Sequence, residues 1–309
     1  MIVVGGEALV DLVQDGNGLR PVPGGGPFNT AVALGRLGLA VSFLGTLSRD
    51  AYGRALDELL LDAGVDTSLV RRSQAPTPLA IVHRGDDGAN AYTFYLSDTS
   101  FTDLPADAVP ELPIEAIVLH VGTLGLAVEP PAATFEALLE REAGRRAIVL
   151  DPNVRPPVFG DQTRYRERFE RLAKLATVVK MSDGDAAWIY PDLEPVTAME
   201  RVLALGPQLV AVTLGPKGAI AATPDVRARV AAVPIEVVDT VGAGDVFGAA
   251  LLATLVEREA LKPDSSLDDA NLERALWFAT TAAAITCTRA GAVPPSRAEI
   301  DAWLATVPS

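Results

Sequence analysis

Asp239–Leu252 reads DTVGAGDVFGAALL. Two glycines and an alanine stand just ahead of a strongly helical, apolar run. The first amides of a helix lack intrahelical partners, and the helix dipole favours negative charge there. Small residues let a phosphate approach the backbone closely. Gly242, Ala243 and Gly244 are therefore expected to form an anion site. Asp245 follows in the first helical turn. A carboxylate beside a bound anion is electrostatically unfavourable, which argues that it has a task. The fitting task is general base, taking the proton from a hydroxyl that attacks phosphorus. The plainer alternative is a helix start with an acidic first turn. The segment is not a Walker A loop, because no Lys-Ser or Lys-Thr follows the glycines. Nor is it a dinucleotide fingerprint, which needs a glycine where Phe247 stands and a place near the first strand.

Outward from this segment, aliphatic strand-like runs alternate with helical ones. Ile2–Val4, Val41–Leu44, Ala116–Val121, Ala147–Leu150, Thr177–Lys180 and Leu209–Thr213 read as strands. Asn29–Leu37, Tyr52–Ala63, Thr163–Leu175, Gly248–Val256 and Asn271–Thr286 read as helices. Such βα alternation predicts a mostly parallel sheet flanked by helices, as one domain over residues 1–309. One region departs from it. Thr77–Val82 and Tyr92–Leu96 are strand-like around the turn-rich Arg84–Gly88, a β-hairpin pattern. Residues 10–23, with the turn signal Asp15–Gly18, are the expected partners. Together with 77–103 they predict a small β-sheet standing off the main one, either a lid or an edge ornament.

Composition narrows the ligand. The formal net charge is −14, which argues against nucleic acid or an anionic membrane as partner. ATP would need local compensation from helix N-termini, Arg or Lys, and Mg²⁺. Cys287 is the single cysteine, so no intrachain disulfide forms, and a reducing, cytoplasmic compartment is the expectation. Met1–Gly6 reads as a first strand rather than a signal peptide. His83 and His120 lack metal-ligand spacing, and Cys287 reads as packing.

Further candidates follow strand ends, where open α/β sheets place ligands. Gly24-Gly25-Gly26-Pro27-Phe28-Asn29 allows close backbone approach, and Asn29 offers a donor and an acceptor suited to a sugar hydroxyl. Asp11 can accept from sugar hydroxyls. In Asp151-Pro152-Asn153-Val154-Arg155, Arg155 can neutralise a transferring phosphate. After the next strand, Lys180 and Ser182 are expected on the nucleotide side, with Asp185 near hydrated Mg²⁺. Ser182 and Asp185 equally have capping-box spacing. Thr213, Gly215 and Gly218 are expected to meet nucleotide phosphates. Each of these also has a plain reading as a turn, cap or surface loop.

Taken together, the motifs resemble the ribokinase-type (PfkB) sugar kinase family over nearly the whole chain. Gly24–Gly38, GGGPFNTAVALGRLG, is similar to its N-terminal signature, and DTVGAGDVFGAALL to its C-terminal one. The resemblance implies a three-layer α/β/α domain with a β lid, and ATP with Mg²⁺ as phosphoryl donor. It makes Asp245 the base and the amides of Gly242, Ala243 and Gly244 the anion hole. It gives sugar binding to Asp11, Gly25, Gly26 and Asn29. Asp239, Val241, Thr286, Arg289 and Gly291 match a segment that binds a monovalent cation, so K⁺ activation is an expectation. Gly6–Asp11, Pro76–Ala80 and the DPNVR segment look most like bacterial fructokinases. Leu9 and the GGGPFN turn depart from ribokinases. 2-Keto-3-deoxygluconate kinases share the DxNxR segment and are the close rival. Asp185 stands where the family often has glutamate, so Mg²⁺ contact through water is expected. A non-catalytic sugar or nucleotide sensor on the same fold is the alternative from another class. An apolar lid face implies a possible homodimer.

Overall fold

The computed structural model describes residues 1–15, 18–84, 90–262 and 267–306. Thirteen strands run in chain order among them. They are β1 (Ile2–Gly5), β2 (Leu9–Asp15), β3 (Gly18–Gly24), β4 (Val41–Ser48), β5 (Val70–Ser73), β6 (Leu79–Arg84) and β7 (Asn90–Tyr95), then β8 (Val118–Gly122), β9 (Ala147–Asp151), β10 (Val178–Ser182), β11 (Leu209–Thr213), β12 (Ala219–Ala222) and β13 (Arg227–Val230). Nine form the main sheet in the order β13-β12-β11-β10-β9-β8-β1-β4-β5. All its pairings are parallel except β11 with β12 and β12 with β13.

The central strands are aliphatic on both faces because both faces are covered. Along β1, Ile2 and Val4 face one core and Val3 the other. The first core is closed by helices Gly26–Arg36, Ala243–Glu257 and Asp269–Cys287. The second is closed by Pro131–Glu142, Gln162–Ala173 and Pro195–Leu203. This is the expected α/β/α layering. Helix Ala243–Glu257 is apolar nearly all round because it is wedged between Gly26–Arg36 and Asp269–Cys287.

The small sheet has the order β3-β2-β6-β7, with β2–β3 and β6–β7 antiparallel and β2–β6 parallel. It therefore uses the two segments expected of the lid. The turn signals at Asp15–Gly18 and Arg84–Gly88 fall partly outside the described residues, as does the loop Lys262–Asp269. Tyr92 and Phe94 stack, with ring centroids 5.9 Å apart, and both line the cavity beneath the small sheet. Tyr95, one step on, points away and is exposed.

Two boundaries differ from expectation in a way that matters. The helix expected from Asn29 begins at Gly26, with Pro27 in its first turn, where proline's missing N–H costs nothing. The helix expected from Gly248 begins at Ala243. Both glycine-rich turns are therefore helix starts, and Asn29 lies inside the first turn rather than at the cap.

Candidate active site

β1 lies between β4 and β8, and the chain passes first to one side of it and then to the other. Ligands of open α/β sheets bind at the strand C-termini of such a reversal. A cavity of about 220 Å³ opens there. Asp11, Gly25, Gly26 and Asn29, expected to bind the sugar, and Arg155, expected to meet the transferring phosphate, all line it, together with Gly242, Gly244 and Asp245. Tyr92 and Phe94 reach it from the small sheet.

Asp245 is buried, and two amides hold it. Asn29 Nδ2 donates to Oδ2 (2.8 Å) and Asn153 Nδ2 to Oδ1 (3.1 Å). Asn29 thus orients the carboxylate rather than serving only a sugar. Burial, and then repulsion from Asp151, raise the Asp245 pKa to about 6, against the pull of Lys180, the Asn29 bond and Arg155. Such a carboxylate is mostly ionised at neutral pH yet basic enough to take a proton. Asp11, also largely desolvated, is raised to about 6, opposed by Arg155.

Gly242 caps the helix in the left-handed region, φ 76°. Val246 N–H makes the first helical bond, to the Gly242 carbonyl. Gly244 and Asp245 precede that bond, so their amides have no intrahelical acceptor, and both residues line the cavity. The Ala243 N–H instead turns back to the Thr240 carbonyl (3.3 Å), which leaves the expected anion hole to its neighbours.

A second, largely apolar cavity of about 680 Å³ lies alongside. Thr213, Gly215 and Gly218 line one wall, and Phe247, Thr280, Ala283 and Ala284 another. Thr240 and Gly244 line both cavities, so the two meet at the helix start.

Two expectations change. Lys180 is not free to meet a nucleotide, because it is buried and its Nζ pairs with Asp151 Oδ2 at 2.9 Å. Burial opposes its charge, but Asp151, Asp185 and Asp245 outweigh that and raise its pKa. Its Nζ sits 3.2 Å from where a Cβ on Gly244 would stand, so it supplies positive charge from behind the helix start. Asp185 is buried, and both its oxygens face main-chain donors. Oδ1 takes the Val154 N–H (2.6 Å) and Oδ2 the Ser182 N–H (2.7 Å), while Ser182 Oγ accepts from Asp185 N–H. Ser182 and Asp185 are the capping box of the next helix, and through Val154 they pin the loop bearing Asn153 and Arg155. That arrangement does not point Asp185 at a metal.

Asp239 accepts the Val241 and Gly291 amides (3.0 and 2.8 Å), and Cys287's carbonyl accepts from Val238 and Asp239. The DTVG turn is therefore laced to the Thr286–Gly291 segment. Thr286 Oγ1 is spent on its own helix, at the Ala282 carbonyl, and Arg289 pairs with Glu299.

Sequence reasoning passed over Glu7, Thr123 and Asn153. Asn153 lay in a quoted motif without a role. Thr123 and Asn153 share a side-chain bond (3.2 Å), and both have positive φ, 50° and 38°. Such strained backbone clusters at functional sites.

A family model described as pfkB family carbohydrate kinase matches residues 1–299. The chain is 37% identical to a fructokinase of Rhizobium leguminosarum bv. trifolii over 260 residues, 82% of this chain and 79% of that protein. The crystal structure of the Vibrio cholerae O395 fructokinase in its fructose-, ADP- and calcium-bound form superposes with a TM-score of 0.86 at 28% identity, covering 98% of each chain. The Xylella fastidiosa fructokinase with bound ATP gives a TM-score of 0.88 at 25% identity, again over 98% of each.

Proposed function

Because the chain belongs to the pfkB family of carbohydrate kinases, we propose that it transfers the γ-phosphoryl group of ATP to a primary hydroxyl of D-fructose. The carrying observation is the pair of cavities that meet at Thr240 and Gly244, with Asp245 on the acceptor side. The polar, small cavity suits a monosaccharide and the apolar, larger one an adenosine.

In the step itself, the sugar oxygen bonds to the γ-phosphorus as the bond from that phosphorus to the ADP oxygen breaks. Asp245 takes the hydroxyl proton. The Gly244 and Asp245 amides, with Lys180 behind them and Arg155 opposite, balance charge on the transferring group. Asp11 accepts from other sugar hydroxyls. Tyr92 and Phe94 roof the cavity and exclude water, which limits ATP hydrolysis. Magnesium would be held chiefly by the nucleotide's own phosphates and would supply positive charge to the transferring group. Among the described residues no three His, Cys, Asp or Glu side chains gather into a metal site. Asp239 joins the Val241 and Gly291 amides, so the DTVG turn and the Gly291 segment lie side by side, which is the support for a monovalent cation there.

ADP release measured with fructose, 2-keto-3-deoxygluconate, ribose and adenosine, with and without K⁺, tests this reading. Fructose should lead ribose in kcat/KM by about 10²-fold or more, a gap that unpaired site groups readily produce. Binding of sugar and ATP without ADP release would instead indicate a sensor. No helix among the described residues is long and apolar enough to cross a membrane.

A lid-to-lid homodimer also fits. Leu19 on β3 and Tyr95 on β7 are exposed at 50% and 54%, on the two edge strands of the small sheet. Sedimentation velocity should then show a dimer that Tyr95→Lys dissociates, and a monomer at micromolar concentration retires the idea.

A further inference from the structure

Thr123 stands just past the end of β8, and nothing in the chemistry above uses it. It lines the acceptor cavity with Gly26, Asn153 and Asp245. Its backbone sits at φ 50°. That region is uncommon for any residue but glycine, and for a β-branched side chain it is an outlier. Such strain persists where the surroundings hold it, and it gathers at ligand clamps. The surroundings also make room for the hydroxyl. A Cβ on Gly26 would stand 2.3 Å from Thr123 Oγ1, so the glycine leaves that space to the oxygen.

Hydrogen bonds run through Thr123 in one direction. Arg155 Nη1 donates to Asn153 Oδ1 at 2.8 Å, and Asn153 Nδ2 donates to Thr123 Oγ1 at 3.2 Å. The amide cannot be turned over, because its oxygen would then face the Asp245 carboxylate and its nitrogen the Arg155 guanidinium. Thr123 Oγ1 is therefore an acceptor on the protein side. A hydroxyl carries a donor as well, and among the described residues this one donates to nothing.

We infer that Thr123 is an acceptor-binding residue: its hydroxyl donates to a hydroxyl oxygen of the sugar, as the last link of the chain Arg155–Asn153–Thr123. The inference rests on the reading of this cavity as a sugar site. A sugar hydroxyl both donates and accepts, so the site needs donors beside its carboxylates. Asp11 and Asp245 accept, and while ionised they have no proton to give. Asn29 is committed to Asp245. Arg155 spends Nη1 on oxygens of its own loop. Tyr92 offers a donor from the small sheet, and Thr123 offers one from the end of the main sheet. A chain of hydrogen bonds that starts from a cation polarises each bond after it, so Thr123 donates more strongly than a lone hydroxyl.

Fructose binding is measured by calorimetry on the full chain, for wild type, Thr123→Ser and Thr123→Val, beside turnover with ATP. Valine keeps the branched shape and removes the hydroxyl. It should weaken fructose about 10-fold or more, the cost of leaving polar groups stranded. The loss should fall on sugar affinity, with KM for ATP unchanged, because Thr123 lines only the acceptor cavity. Serine keeps the hydroxyl and should bind within a few-fold of wild type. Deoxyfructoses and anhydromannitol, each lacking one hydroxyl of fructose, test the contact itself. One of them should bind wild type more weakly than fructose does, yet bind Thr123→Val as well as fructose does, since the bond is already gone there. A Thr123 that only braces Asn153 would give no such pairing. Valine equal to wild type, serine as weak as valine, or no analogue whose penalty vanishes in the valine variant overturns the inference. Absence of any fructose binding by wild type overturns it together with the proposed function. Fructose binding without ADP release strikes only the proposed transfer, and the binding comparisons still decide on Thr123. Should Thr123→Val not fold, Thr123→Ala takes its place in each comparison.

Discussion

Asp245→Asn is expected to lower kcat by about 10²–10⁴-fold, the usual cost of a lost, positioned general base. The loss should fall on kcat rather than on sugar affinity. Asparagine also meets a local conflict. Asn29 and Asn153 both aim amide donors at position 245, and the new side chain can accept from only one of them at its oxygen. Stability should not suffer. The Asp245 pKa rises from 3.8 to about 6 on folding, so the unfolded chain holds fewer protons between those values. Stability therefore falls as pH rises through that window, and at neutral pH the ionised carboxylate is a net burden that asparagine removes. A Tm equal to or above wild type, with turnover nearly abolished, is the expected pair of results. In wild type, kcat/KM should decline as pH drops through about 6, where Asp245 and Asp11 both take up protons. Because two groups titrate together, the decline should be steeper than one proton. Near-normal turnover in Asp245→Asn, or a flat acid profile, removes Asp245 from the role of base.

Gly26→Ala should cost about 10²-fold in kcat/KM although it enlarges the side chain by a single methyl. On helix propensity alone alanine would help, by roughly 1 kcal/mol in a helix interior. Sterics decide the other way. The new Cβ would stand 2.3 Å from Thr123 Oγ1, 2.8 Å from Asn153 Nδ2 and 3.4 Å from Asp245 Oδ1. Relieving the first two contacts moves the amide that orients the base, and a displacement near 1 Å is worth about 10²-fold in rate. The same crowding should reduce stability by about 1–3 kcal/mol. Adding Thr123→Ala removes the worst contact and should restore part of the activity. Kinetics on the single and double variants check this, and KM for ATP should stay unchanged because Gly26 lines only the acceptor cavity.

Much of the site was legible because its chemistry is written in short, contiguous motifs. Asp245 beside Gly242–Gly244, and Asn29 behind Gly25-Gly26, stand out by spacing as candidates, although spacing alone also allowed a plain helix start and a plain turn. The lid was legible for a similar reason, since period-2 runs around turn residues stand out in a βα chain. What escaped depends on which strands become neighbours. Lys180 looked like a free cation because its partner, Asp151, ends the adjacent strand β9 and not its own. Ser182 and Asp185 fit two readings in sequence, and only the Val154 amide arriving from the β9 loop decides between them. Thr123 has no local signature, and Glu7 and Asn153 lay in quoted segments without a role, because the sheet order alone brings the ends of β1, β8 and β9 together. The short strands β5, β12 and β13 at the two ends of the main sheet were missed because four-residue runs give too little periodicity.

The hydrogen bond from Asn29 to Asp245 spans 216 positions of chain, and this has a consequence in time. A ribosome releases the residues of β1, the lid and the Gly26–Arg36 helix well before it reaches Ala243. The floor and roof of the acceptor cavity can therefore exist on a nascent chain that still lacks Asp245, the Gly244 amide and the helical wall of the second cavity. Closing so long a loop is the slow part of assembling such a sheet. A product that stops before Asp245 thereby lacks the proposed base, and phosphoryl-transfer competence has to wait until the Ala243–Glu257 and Asp269–Cys287 helices dock.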